Sequence, residues 1–439
     1  MADDQSVSVT CSVEFSQQGA LAVLFDDIPL DRQNSWLLHA THNDDGPFVR
    51  FFAVHLLAAN GETLTSDRVY VTSVGTPIAH NRTTLRLAAK ADSFEVTVGP
   101  GNRSFMGEVH QLQYHTVGML GFGRVRGACI EGDIVADGPL QEPLETILSG
   151  QIHLRRADVV EPDNWIAACD KRVLSTLRIM SLALGRPIDW AVREHFVDGR
   201  RARSRFVTAS HPPPTAEPVF THLELQPMLD LALRNHDRLF DQDLRLGEAI
   251  DWVVRWHVLA EIRLLAAVTA FEGLLAGHSE AKGGLIPKAC FRHTIRPRLE
   301  ATLLEPEARD AVRVALGPNA TPLQADGIIA EMSTKLGSLN QRSLPTRLAD
   351  FLGHYDVPID DIPISVIELL KTRNRVIHGA STVAVKYEER TTGRAAMMRE
   401  VLRRSILAML NYSGSFYSYH KKIEWLTFRA PPTALDNRH

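Results

Sequence analysis

The chain is poor in cysteine. Only Cys11, Cys129, Cys169 and Cys290 occur, and no two of them lie close together. That spacing excludes paired thiol motifs for zinc or redox chemistry. Reduced core thiols in a cytoplasmic protein are the expectation. Long apolar runs are also missing: none approaches the ~20 residues that cross a bilayer, so no membrane partner is expected. Met1-Ala-Asp-Asp-Gln5 has no apolar stretch behind it, and no secretory signal is expected. There is no excess of positive charge either. With 48 basic against 52 acidic residues the formal net charge is −4, so any surface for nucleic acid has to be a local basic patch.

Several catalytic motifs are absent. No Gly-x-Ser-x-Gly elbow and no Cys–His pair stands out. Gly121-Phe-Gly-Arg-Val-Arg-Gly127 lacks the Lys-Ser/Thr ending of a phosphate-binding loop and reads as a twisted or bulged strand. His39-Ala-Thr-His42, with Asp44 and Asp45, has metal-binding residue types. In a strand its two histidines point to opposite faces. No metal and no cofactor is therefore expected.

What is present is ordinary globular composition, 44% hydrophobic and 23% charged, which argues against disorder. A chain of 439 residues exceeds one common core, so two or three domains are expected. Residues 1–157 hold many short alternating stretches separated by Gly, Asn, Asp and Pro turns, the pattern of a β-rich domain. Residues 158–221 read as a connecting segment: a helix, then a hairpin turning at Asp198-Gly199. Residues 222–439 are helical almost throughout. They include one long apolar helix over 246–275, a helix over 364–378 and a last helix over 394–423. The fold class expected is α+β and multidomain, a β-sandwich-like N-terminal domain followed by an all-α antiparallel helical bundle.

The stretch Lys371-Thr-Arg-Asn-Arg-Val-Ile-His-Gly379 concentrates the chemistry. It reads as the end of an amphipathic helix closed by glycine. Cutting RNA without a metal needs a group to take the 2′-hydroxyl proton, an acid for the 5′-oxygen and a cation for the phosphorane. Histidine moves protons near neutral pH, and arginine grips phosphate with two parallel hydrogen bonds. Asn374 and His378 share a helix face. Arg373 lies roughly 140° round from His378 at about 100° per residue. The helix dipole favours a protonated His378. One helix thus supplies half of the groups in good position, and a second copy of the site is expected to complete it. The same residues can instead cap helix carbonyls. Spacing alone does not separate the two, because Arg50-Phe-Phe-Ala-Val-His55 repeats it within a strand pattern.

Arg373-Asn374-x-x-x-His378-Gly379 resembles the Arg-polar-x3-His signature of the HEPN superfamily of helical-bundle ribonucleases. Thr269-Ala-Phe-Glu272-Gly-Leu-Leu275 resembles the acidic position of the first HEPN core helix. The whole is similar to the bacterial ApeA-like group, which joins a β-rich N-terminal region to a C-terminal HEPN domain. The resemblance covers residues 223–425 and is architectural over the N-terminal half. It implies a metal-independent endoribonuclease, a site shared across a homodimer, and tRNA or mRNA cleavage in anti-phage defence or abortive infection. Arg373 and His378 would be catalytic, Asn374 their polar partner and Glu272 a supporting group. Two departures stand out. The stretch between Glu272 and the motif is long, and Arg375 is a second arginine able to reach the phosphate.

Arg200, Arg201, Arg203 and Arg205 form a basic hairpin strand. It could hold RNA phosphates or simply be solvated. Arg292, His293, Arg296 and Arg298 form a second basic cluster, read as a solvated helix face. A phage-derived or nucleotide trigger is expected at the β-rich region. The rival reading is a non-catalytic helical module that binds nucleotide or RNA, or dimerises, coupled to a β-rich ligand-binding domain.

Overall fold

Alternation of apolar and polar residues sets the strands. In β8 (Val109–Val117), His110, Leu112, Tyr114 and Thr116 are buried while Gln111, Gln113 and His115 are only partly so. The computed structural model describes residues 11–15, 21–29, 52–58, 61–75, 78–79, 82–91, 93–97, 108–119, 123–138, 148–207, 217–220, 225–240, 244–255, 259–279, 284–377, 384–420 and 423–429. Before β8 come β1 (Cys11–Phe15), β2 (Leu21–Pro29), β3 (Phe52–Leu57), β4 (Thr63–Gly75), β5 (Ile78–Ala79), β6 (Arg82–Ala91) and β7 (Ser93–Thr97). After it come β9 (Gly123–Cys129), β10 (Gly132–Gly138), β11 (Leu148–Ala157), helix α1 (Pro162–Leu184), β12 (Asp189–Val197) and β13 (Arg200–Val207).

These strands hydrogen-bond into one continuous path, β1-β2-β6-β4-β7-β13-β12-β8-β11-β10-β9, with β3 on β4 and β5 on β6. The pairings are antiparallel. Where the sequence pattern points to a sandwich, the described strands thus join edge to edge. The hairpin of residues 158–221 is central to this: β13 pairs β7 and β12 pairs β8. Its turn uses Asp198 and Gly199 at φ 48° and 75°, the two left-handed positions a tight hairpin requires.

Helix α1 joins the sheet to the helices. Its Trp165, Cys169, Val173, Leu177 and Met180 are buried in the core that holds Leu112, Ile134, Ile152 and Leu154 of the sheet. Asp170 on α1 accepts from Tyr114 Oη at 2.7 Å and pairs with Arg193 at 2.5 Å. Gly185 ends the helix at φ 65°, its N–H reaching back to Leu182, and a side chain there would strike the carbonyl of Glu217.

Helices follow: α2 (Leu225–Arg234), α3 (His236–Phe240), α4 (Leu246–Val254), α5 (Ala260–Ser279), α6 (Arg296–Leu304), α7 (Pro306–Leu316), α8 (Pro322–Lys335), α9 (Leu344–His354), α10 (Val366–Ile377) and α11 (Ala384–Met409). Helices α4, α5, α9, α10 and α11 bury apolar faces together, with Leu264, Phe271, Leu275, Phe351, Leu369, Met398 and Leu402 inside. Helices α6 to α8 stand apart as an arm over residues 284–341. Its base is clipped shut: Leu285 N–H donates to the Asn340 carbonyl at 2.8 Å, and Ile286 N–H donates to Asn340 Oδ1 at 2.9 Å.

Three expectations need correction. The long helix over 246–275 is two, α4 and α5, because Arg255 leaves the helix at φ −70°, ψ 123°. The last helix stops at Met409 rather than 423. Asn411 turns at φ 56°, and the chain then forms β14 (Ser413–Ser418) paired with β15 (Glu424–Arg429). The C-terminal part is therefore not all-α. The thiols are not all in the core: Cys169 is buried, Cys11 and Cys129 half-buried, and Cys290 exposed. Among the described residues no helix is long and apolar enough to cross a membrane.

Buried arginines lock these layers together. Arg403 and Arg404 of α11 are 2% exposed. Arg404 pairs with Glu400 at 3.0 Å and with Asp361 at 2.5 Å. Arg399, at 2.9 Å, and Arg403 both bind Glu217. Removing one partner of such a buried network strands charge. Glu400→Gln is therefore expected to lose about 3–5 kcal/mol, read as a lower urea midpoint with an unchanged slope. A second expectation concerns acid. His110 Nδ1 and His195 Nε2 lie 3.0 Å apart inside the sheet, and burial, then His110, holds His195 down to about 4. The unfolded chain takes up this proton near pH ~6.5, so folding stability should fall as pH drops from about 6.5 to about 4. Denaturant titrations should show a shallower fall for His195→Gln.

Candidate functional site

Helix α10 opens with Ser365, whose Oγ accepts the Glu368 N–H at 3.3 Å. Leu369 and Leu370 face the core, and Thr372 is buried beside them. Thr372 Oγ1 accepts from Arg394 of α11 at 2.6 Å, which fixes the rotation of α10. The opposite face carries Ile367, Lys371 and Asn374, all exposed. Arg373 falls at the margin between the two faces and is 29% exposed.

Helix α5 presents its own margin to Arg373. Phe271 and Leu275 are buried, which turns Thr269, Glu272 and Gly273 outward. Arg373 Nη2 donates to Glu272 Oε1 at 3.3 Å, and Arg373 Nη1 donates to Asn374 Oδ1 at 3.2 Å. Glu272 also lines a cleft of about 280 Å³ between α4 and α5. Across the cleft stand Arg245, Glu248 and Trp252 of the α4 segment. The cleft therefore offers one cation, two carboxylates and one aromatic face. Such a surface suits a ligand that carries both anionic and planar parts.

The sequence-derived residues divide clearly. Arg373, Asn374 and Glu272 come together. Arg375 lies on α10, with its side chain outside the described residues, and His378 and Gly379 lie outside them altogether. The basic hairpin does not join this group. It runs along β13 within the sheet, where Arg203 pairs with Asp163 at 2.5 Å and Arg201 with Glu62 at 3.4 Å. Arg200 is exposed and Arg205 half-buried on the same strand. Of the second Arg-x4-His stretch, His55 lies exposed on β3 and Arg50 lies outside the described residues. The residues from His39 to Asp45 also lie outside them. Gly121-to-Gly127 ends in strand β9.

Arg245, Glu248 and Trp252 were not among the sequence candidates. A signal existed. Leu246, Ala249, Ile250 and Val253 are buried, and their helical period leaves Glu248 and Trp252, one turn apart, on the outer face. Comparison with family models, with curated proteins and with solved structures returned no match.

The Arg373–Glu272 pair is half-exposed and so adds little to stability. Arg373→Ala and Glu272→Gln are each expected to cost under about 1 kcal/mol in thermal or urea unfolding. A loss of several kcal/mol would show that the pair is structural.

Proposed function

We propose that this chain is a metal-independent endoribonuclease of HEPN type. In this reading its helical part from residue 222 is the nuclease module and its β-rich part the sensing module. One observation carries it: Arg373, singled out by its residue chemistry, and Glu272, carried over from the HEPN resemblance, are separated by 101 positions and meet at 3.3 Å beside a cleft. Arg373 leaves Glu272 to grip the scissile phosphate, and Asn374 orients the phosphate or the imidazole. His378 moves the protons: the 2′-oxygen attacks phosphorus, its proton is taken up, and the leaving 5′-oxygen is protonated. The products are a 2′,3′-cyclic phosphate and a 5′-hydroxyl. A second copy supplies the second histidine, because one helix cannot place acid and base on both sides of one phosphate. The biological role is tRNA or mRNA cleavage in anti-phage defence, with a phage-derived or nucleotide trigger acting on the β-rich part.

The cleft favours one alternative, a non-catalytic module that holds a nucleotide or RNA beside Arg373. Incubation of purified protein with total RNA in EDTA separates them. The nuclease reading expects wild-type cleavage with cyclic phosphate ends. Arg373→Ala and His378→Ala are expected to lower the rate by about 10²–10⁴-fold, and Glu272→Gln by a smaller factor. Equal cleavage by the folded variants and the wild type would reject the site. RNA binding without any cleavage would establish the alternative.

A further inference from the structure

Trp252 differs from the other described tryptophans. Trp165, Trp190 and Trp425 each pack on another aromatic ring, that of His110, Tyr114 and Tyr417 respectively. Trp252 packs on no ring among the described residues, is 37% exposed, and lines the cleft between α4 and α5. An open indole face in a concave place is a stacking platform for a planar ring. Small side chains make the room for one. Ala249 and Ala270 line the cleft and are buried beneath it. At Gly273 a β-carbon would meet only Arg245 Cδ, at 3.7 Å, an ordinary contact. The glycine therefore leaves space in the cleft wall.

The polar groups around the platform select the ring. Glu248 lies one helical turn before Trp252, about 5–6 Å away between β-carbons, so its carboxylate stands at the edge of a ring laid on the indole. Arg245 is the N-cap of α4, at φ 50°, and its side chain runs beside Gly273. Both side chains are exposed, and neither has an ion pair among the described residues. Glu272, by contrast, is engaged by Arg373. Glu248 is thus the carboxylate open to a ligand, and an ionised carboxylate only accepts hydrogen bonds, through two oxygens. Among the RNA bases, guanine alone offers two adjacent donors on its pairing edge, N1–H and N2–H. Adenine, cytosine and uracil set an acceptor beside each donor there, and a carboxylate repels it.

We propose that the cleft holds a guanine base, stacked on Trp252, with N1–H and N2–H donating to Glu248 and its phosphate facing Arg245. The proposal deepens the reading of this cleft as a nucleotide site and rests on it. In the nuclease it makes a phosphate beside guanosine the one that Arg373 meets.

Calorimetric titration of the full chain with 5′-GMP, AMP, CMP and UMP tests it. GMP is expected to bind about tenfold more tightly than the other three. Glu248→Gln is expected to remove that preference without weakening AMP, because the amide sets a donor beside its one acceptor. Trp252→Ala should weaken all four about tenfold, and Gly273→Leu, which fills the cleft, should abolish binding. Circular dichroism and the urea midpoint check that each variant folds. A short RNA with a single guanosine separates the two sources of the base: tighter binding than GMP assigns the site to RNA, weaker binding to a free nucleotide. Guanine-selective binding by a wild type that cleaves no RNA keeps the proposal and removes the nuclease. Cleavage without base preference does the reverse. No binding of GMP at millimolar concentration, equal affinity for the four nucleotides, or a GMP preference that survives in Glu248→Gln overturns the proposal.

Discussion

Three arginines in the interior of one helix set the terms for the rest of the structure. Arg399, Arg403 and Arg404 of α11 are all nearly inaccessible, and buried guanidiniums persist only when carboxylates and carbonyls meet them. The partners come from distant places. Glu217 lies in the segment after β13, Asp361 just before α10, and Glu400 on α11 itself. Burial, with Arg403 close by, pulls Arg399 down to about 9, so positive charge is dense here. Glu217 answers it while its backbone sits against Gly185, where α1 ends. One carboxylate therefore ties the sheet layer to the helical layer. Tyr419, whose hydroxyl donates to the Pro218 carbonyl at 2.7 Å, brings the C-terminal hairpin onto the same segment.

The candidate site lies at the rim of this interior. Arg394 of α11 holds Thr372, and Thr372 sets the rotation that leaves Arg373 half-exposed next to Glu272. The contrast between the arginines is informative. Those of α11 are dehydrated and committed to fixed carboxylates, whereas Arg373 keeps a half-exposed carboxylate partner 3.3 Å away and can exchange it for an anion. Arg201 and Arg203 of β13 hold an intermediate position, paired to Glu62, to Glu95 of β7 and to Asp163 of α1. Rigid support behind a lightly held cation is a sound arrangement for binding phosphate.

Sequence and structure agree where local rules govern. The β12–β13 hairpin was legible because Asp198-Gly199 supplies two left-handed positions between alternating strands. The break between α4 and α5 was hidden, because Trp252, Leu259 and Ile262 continue the apolar count across it; all three are in fact exposed. The β14–β15 hairpin was hidden too. Its backbone is held by contacts distant in sequence, the Tyr417 N–H donating to the Val219 carbonyl at 2.7 Å.

Residue chemistry and period, read along the chain, were enough to indicate the β-rich first part and the mostly helical second part and to single out Arg373 and Asn374 as candidates, while Glu272 entered through the HEPN resemblance. Those features depend on neighbours in sequence, which act through backbone propensity and side-chain period. Only the tertiary structure placed the 158–221 hairpin in the middle of the sheet, set Arg245, Glu248 and Trp252 around a cleft, and turned the arm's apolar side chains outward. Each of these depends on contacts between segments far apart in the chain. Such contacts are decided by which buried charges and apolar faces find partners, and no local window contains that information.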